Sequence, residues 1–308
     1  MATANRPAFL DLVRRRLVLY DGGMGTMLFS RGLEEGESPE PWNWERPDAV
    51  KEIYRAYYRA GSDVVQTNTF GGTAIKLSER GLQDRVYDAN YLAARALRES
   101  CPEGRYAAGD VGPIGKFLKP MGEYELSQFE AAFEAQVRGL ADGGVDLISI
   151  ETMYSLDEAL CALRAAKRAA DLPVVVGMTF ERNPRGFFTL MGETVRHCLR
   201  VLGDSGADVV GSNCTHGTPA FLELTRLMRD STDLPVIAQP NRGQPFLGAG
   251  GVGYRQAVDE FVRDVVAIAA AGANIVGGCC GTTPEFIGRT REALAARPAD
   301  APEGGEGP

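Results

Sequence analysis

Three cysteines in this sequence could act on one ion. Cys279 and Cys280 are adjacent in the glycine-flanked stretch IVGGCCGTTP (275–284), and Cys214 ends the apolar run ADVVGSNC (207–214). A disulfide between adjacent residues is strained. Neighbours on one strand point to opposite faces, but the glycines on either side break that alternation and let both thiols turn the same way. Three thiolates with an open fourth position describe a catalytic zinc site, because structural zinc is usually closed by four protein ligands. Cys214, Cys279 and Cys280 are therefore the candidate zinc ligands and catalytic residues. Asn241 is the candidate weak, displaceable oxygen ligand, better placed than His216, which follows Cys214 by two residues. Zinc already neutralised by three thiolates is a weak Lewis acid, suited to binding a substrate thiol and holding it deprotonated at neutral pH. That is chemistry for alkyl transfer to sulfur. A redox dithiol at Cys279–Cys280 is the competing reading. Cys101, Cys161 and Cys198 fall on helical segments and read as structural thiols.

Something must bring position 214 beside 279–280. Eight short apolar runs recur along the chain, at 16–23, 62–70, 105–113, 145–152, 172–180, 207–214, 234–241 and 273–280. Continuous runs of this length suit strands buried on both faces of a parallel sheet. Amphipathic segments lie between them, among them 48–60, 127–142, 156–170, 218–230 and 255–271, with a last helix opening at Pro284. Four times a helical segment ends in glycine followed by a small residue and Asp or Asn, around Gly61, Gly144, Gly206 and Gly272. That is an αβ-loop signature. Eight β–α units in this length predict a single-domain (β/α)8 TIM barrel over 1–296. The Pro/Gly/Glu-rich segment 297–308 reads as a disordered tail or the start of a linker.

In such a barrel the C-terminal strand ends meet at one catalytic face. Those ends carry Asp21–Gly22–Gly23, Thr67, Asp110, Glu151, Thr179, Asn213–Cys214, Asn241 and Cys279–Cys280. Asp21 and Glu151 are suited to an ammonium group, and the Gly22–Gly23 amides and the Thr67 hydroxyl to a carboxylate. Asp21, Gly22, Thr67, Glu151 and Asn213 are thus the candidate substrate-binding residues. The stretch DGGMGT lacks the Lys–Ser/Thr of a phosphate loop, so its glycines are read as letting the backbone approach a small substrate.

Composition removes other function classes. The net charge is −8 and dispersed, which disfavours nucleic acid. No apolar run approaches membrane-spanning length and the N-terminus lacks a signal-peptide h-region, so no membrane role and a cytoplasmic location are expected. Six cysteines in such a chain are not a disulfide scaffold.

Taken in order, DGGMGT (21–26), TNTF (67–70), ETM (151–153), NC (213–214) and GGCCGTTP (277–284) resemble the homocysteine S-methyltransferase family over residues 15–296. The segments 46–70 and AQPNRGQP (238–245) look most like its branch containing the homocysteine domain of cobalamin-dependent methionine synthase. The resemblance implies a barrel with zinc on Cys214, Cys279 and Cys280, L-homocysteine as methyl acceptor, and a displaceable Asn241. The donor it implies is methylcobalamin- or methylfolate-linked, or S-methylmethionine, with a betaine-type donor as an alternative. The chain has no D-x-H-x-x-G corrinoid motif, so a corrinoid would come from a separate protein or another portion. A non-catalytic subunit presenting the thiol to a corrinoid protein is the alternative.

Overall fold

The structure is a computed structural model that describes residues 8–248 and 251–296; the tail expected at 297–308 lies outside them. Eight parallel strands make one sheet: β1 (Val18–Leu19), β2 (Val64–Gln66), β3 (Tyr106–Val111), β4 (Leu147–Met153), β5 (Val174–Met178), β6 (Val209–Gly217), β7 (Val236–Asn241) and β8 (Ile275–Val276). Their order is β1–β8–β7–β6–β5–β4–β3–β2. The remaining seam, between β1 and β2, is closed by the Asp63 amide donating to Leu19 O at 2.7 Å. Two carboxylates finish it: Asp63 Oδ2 accepts from the Leu19 amide at 2.9 Å, and Asp21 Oδ2 accepts from the Gln66 amide at 2.8 Å. The result is the expected (β/α)8 barrel.

Outside the strands lie α1 (Pro47–Arg59), α2 (Val86–Ser100), α3 (Leu126–Asp142), α4 (Leu156–Ala169), α5 (Val195–Asp204), α6 (Thr218–Arg229), α7 (Val258–Ala270) and α8 (Pro284–Ala295). On α1 the buried residues Val50, Ile53, Tyr54 and Tyr57 recur at helical spacing and form the face laid on the sheet. Ser155 and Thr194 cap α4 and α5 through their side chains, and proline opens α1, α6 and α8.

The four repeated glycine loops behave alike. Gly61, Gly144, Gly206 and Gly272 all have left-handed φ, between 93° and 104°, which an L side chain resists. The Asp or Asn that follows then grips the preceding strand. Asp63, Asp146, Asp208 and Asn274 accept side-chain bonds from the amides of Leu19, Ala107, Val174 and Val236 at 2.8–2.9 Å. Their own amides donate back to the same four residues. The chain thereby clamps its strands in pairs at the end of the barrel opposite the site.

The barrel interior changes character along its axis. Its floor is Val18, Val64, Tyr106, Leu147, Val175, Val209, Ile237 and Ile275, sealed by Phe9, Leu12 and Val13 of the N-terminal helix Phe9–Arg15. Two residues further along β2, β4 and β7, period-two alternation returns Gln66, Ser149 and Gln239 to the same face, and four residues along β3, β4 and β6 it returns Asp110, Glu151 and Asn213. Close strand packing needs glycine at position 211, where a Cβ would lie 2.0 Å from the Ile237 carbonyl oxygen. Backbone cannot yield as a flexible side chain can, so Gly211→Ala is expected to destabilise the protein by about 3 kcal/mol. An unchanged denaturation midpoint would contradict that close approach.

Most strands are shorter than the apolar runs that announce them, though β6 runs on past its own to Gly217. β1 keeps only Val18–Leu19 of 16–23 and β8 only Ile275–Val276 of 273–280. In both, the glycines after the strand turn the chain out of the ladder. Two hairpins, Glu181–Asn183 with Gly186–Phe188 and Pro245–Gly248 with Gly251–Tyr254, decorate the loops after β5 and β7.

Candidate metal centre

The Cys279–Cys280 loop is built by neighbouring strand ends. Gly278 donates to Asp21 O at 2.9 Å, Cys279 donates to Pro240 O at 2.9 Å, and Arg242 donates to Cys280 O at 2.9 Å. The loop after β1 latches onto it: the Gly23 amide donates to Thr282 Oγ1 at 3.1 Å, Thr282 Oγ1 donates to Cys279 O at 2.6 Å, and the Gly281 amide donates to Thr26 Oγ1 at 2.9 Å. A Cβ on Gly22 would lie 2.6 Å from Thr282 Oγ1, and one on Gly23 2.9 Å from Cys279 O. The glycines of DGGMGT therefore let this loop approach the cysteine loop, where the sequence suggested approach to a substrate.

Cys214 arrives from β6 by a distortion. Cys214 and Thr215 have φ of 62° and 60°, and the β6–β7 register shifts between Asn213 and Gly217. Non-glycine residues in this region are strained. The distortion turns the Cys214 sulfur toward β8.

The three sulfurs come together. Cys214 Sγ lies 3.8 Å from Cys280 Sγ, Cys280 Sγ 4.0 Å from Cys279 Sγ, and all three are within 4.8 Å of one another. Zinc bound tetrahedrally at its usual sulfur distance requires separations of about 3.8 Å, which two of the three pairs already approach, so the residues fit the ion. In the free cluster, S–H donation from Cys279 and Cys280 holds the Cys214 thiol far below its ordinary pKa. Hydrogen bonding to Cys214 holds Cys279 and Cys280 above theirs. One thiolate is thus already stabilised. Asn241 Oδ1 accepts from the Cys280 amide at 3.0 Å, and its side chain also bonds Cys214. Its oxygen is in the cluster but occupied. His216 is outside the cluster, accepting from the Arg182 amide at 3.2 Å.

Beside the sulfurs lies a carboxyl cluster. Glu151 Oε2 accepts from Asn213 Nδ2 at 3.2 Å and from Gln66 Nε2 at 3.4 Å. Asn213 also accepts from the Thr152 amide and donates to Thr152 Oγ1, both at 2.7 Å, bracing Thr152 at φ 60°. Burial raises the Glu151 pKa to about 7, against the pull of Gln66. Burial likewise raises Asp21 and Asp110 well above the usual carboxylate range. Thr67 is buried in the wall between β2 and β3. Thr69 Oγ1 donates to Asp110 O at 2.7 Å, so the 2.6 Å contact between the two hydroxyls spends the Thr67 proton on Thr69. Thr67 Oγ1 also accepts from the Asp110 amide at 2.9 Å. The candidates for a substrate carboxylate are thus largely engaged within the chain; of those for an ammonium group, Asp21 is buried and Glu151 is partly exposed.

Residues 18–294 match the sequence model of the family described as Homocysteine S-methyltransferase. The chain belongs to the homocysteine S-methyltransferase family. It is 33% identical over 306 residues to methionine synthase of Mycobacterium tuberculosis and 32% identical to that of Mycobacterium leprae. Each alignment covers 93% of this chain and 25% of the relative, so the chain spans about a quarter of the length of these curated relatives. In fold it is similar to the metallated form of the Escherichia coli homocysteine methyltransferase MmuM. That match has a TM-score of 0.78 and 23% identity, covering 93% of this chain and 99% of the other.

Three residues of this family member's site carried no assignment in the sequence. Gln66 links Ser149, which donates to it at 2.6 Å, to Glu151. Tyr254, from the second hairpin, hydrogen-bonds Cys280, and only the folding of that hairpin brings it there. Asp110 stands at a strand end in the sequence, and its acidity was the available signal.

Proposed function

We propose that this chain transfers a methyl group to the sulfur of L-homocysteine, giving methionine. The observation that carries the reading is the convergence of three cysteine sulfurs, spaced for one zinc ion, with buried carboxyls suited to an amino acid's ammonium group. Cys214, Cys279 and Cys280 would hold the zinc, with Asn241 the displaceable fourth group. When bound, zinc supplies acidification of a substrate thiol, so that the sulfur is nucleophilic at neutral pH. Asp21 and Glu151 bind the ammonium group, Asn213 orients Glu151, and the Gly22 backbone and Thr67 border the carboxylate end. In the transfer a sulfur–carbon bond forms as the bond between the methyl group and its donor breaks, the electron pair leaving with the donor. No side chain need act as general base on the sulfur.

The donor we favour is a methylcorrinoid carried by a separate protein or another portion of a longer chain. Phe29, Phe70, Phe117, Met121 and Leu190 are exposed, and all lie in segments that follow strands β1, β2, β3 and β5, hence at the mouth. An exposed apolar rim suits a macromolecular donor better than a small polar one. No helix among the described residues is long and apolar enough to cross a membrane, and a site of free thiols suits the reducing cytoplasm.

The test is methionine formation by the zinc-loaded protein from homocysteine with methylcobalamin, methyltetrahydrofolate, S-methylmethionine or betaine. Methionine from methylcobalamin is expected. None from any donor would overturn the catalytic reading in favour of a thiol-presenting subunit.

A further inference from the structure

Asp110 ends the inward-facing series Tyr106, Ala108, Asp110 of β3, and only 5% of it is exposed. Its carboxyl lies within hydrogen-bonding reach of Glu151. Two carboxyls so close disfavour each other's charged form. Among the described residues no donor reaches Asp110 Oδ1 or Asp21 Oδ1, and both atoms are fully buried. Buried polar groups are ordinarily satisfied, so an orphan at a site calls for a ligand. The rest of the cluster is bonded within the chain: Asp21 Oδ2 to the Gln66 amide, and Glu151 Oε2 to Asn213 and Gln66. The cluster therefore holds two acceptors without donors, on Asp21 and Asp110, beside the Glu151 carboxyl. An α-ammonium group brings three N–H donors and one positive charge.

We propose that Asp110 is a substrate-positioning residue, its carboxyl taking one N–H of the substrate's ammonium group while Asp21 and Glu151 take the other two. The inference rests on the homocysteine reading above and goes beyond it by assigning the third carboxyl. It makes the site selective for a primary, protonated amine: a thiol lacking that group leaves Asp21 Oδ1 and Asp110 Oδ1 without donors.

The test compares two ligands on zinc-loaded protein by calorimetry, L-homocysteine and 4-mercaptobutyrate, which keeps the thiol and carboxylate but lacks the amine. Wild-type protein should prefer homocysteine. Asp110→Ala should weaken homocysteine by about 10- to 100-fold, the scale of a lost charged hydrogen bond. It should leave 4-mercaptobutyrate within about twofold and zinc at one per chain. Asp110→Ser, whose shorter side chain cannot reach the amine, is the second variant should alanine not fold, with the same expected pattern. Asp110→Asn keeps an acceptor oxygen and a donor toward Glu151 and should restore most of the homocysteine affinity. If wild-type protein discriminates but the variants lose both thiols alike, or neither, the Asp110 assignment falls and the homocysteine reading stands. If wild-type protein does not prefer homocysteine, the substrate reading itself falls, and the Asp110 assignment with it.

Discussion

Serine at any one of positions 214, 279 or 280 is expected to remove zinc from this protein and abolish methyl transfer. The three sulfurs already sit at separations that suit one tetrahedral ion, 3.8 and 4.0 Å for the two closest pairs. Little reorganisation offsets their binding energy. Structural zinc sites gain about 10–16 kcal/mol from a full ligand set, so one thiolate accounts for several kcal/mol and at least about a 100-fold loss of affinity. A serine hydroxyl does not replace it, because it stays protonated where a thiol ionises. Zinc analysis and methionine formation should therefore fall together in all three variants. Cys101→Ser is the control, a thiol at the end of α2 away from the cluster, and should keep both. Full metal content and activity in the Cys279→Ser and Cys280→Ser proteins would falsify the zinc assignment.

The barrel was legible because its signal is repeated and local: apolar runs, helical periodicity and glycine loops each recur with the unit. The cysteines were legible for a related reason. Once strands are counted, positions 214 and 279–280 fall at the same end of β6 and β8, which flank β7 in the sheet. What escaped depends on contacts that no local pattern encodes. Gly22 and Gly23 are required by Thr282 and Cys279, more than 250 residues away in sequence. Tyr254 reaches Cys280 from a hairpin that had no apolar alternation strong enough to announce it. The Thr67 hydroxyl looked available until its neighbour Thr69 was seen to take its proton. The displaced backbone at Cys214 and Thr152 is likewise a product of the site, with Asn213 holding one of the two strained residues in place. Sequence located the groups at the mouth; the fold decides which of them remain free to meet a ligand.

The largest expected loss of stability lies at the opposite end of the barrel. Asp63 is almost fully buried and pairs with Arg16 and Arg291 at 3.0 and 2.6 Å, and with Arg105. It also accepts from the Leu19 amide. Burial opposes its charge, but Arg16, the Leu19 amide and Arg291 outweigh burial and hold its pKa below the usual value. This stabilisation is present above the unfolded carboxylate value of about 3.9 and is lost as pH falls through the lower folded value. The three arginines are 31–45% exposed, so water compensates much of their loss in Asp63→Ala. The buried Leu19 amide has no such recourse, and an orphaned donor costs about 1–3 kcal/mol. Asp208 makes the same clamp on Val174 with a single lysine partner, and four residue pairs of the β5–β6 ladder remain without it. The β1–β2 seam has no such ladder. Opening it also loosens the Gln66–Asp21 bond that finishes the seam at the mouth. Asp63→Ala is therefore expected to cost about 4 kcal/mol and Asp208→Ala about 2, or roughly 6 °C against 3 °C in Tm. Only the first should also weaken homocysteine binding. Equal losses in the two variants would mean that the seam is closed by packing rather than by its carboxylates.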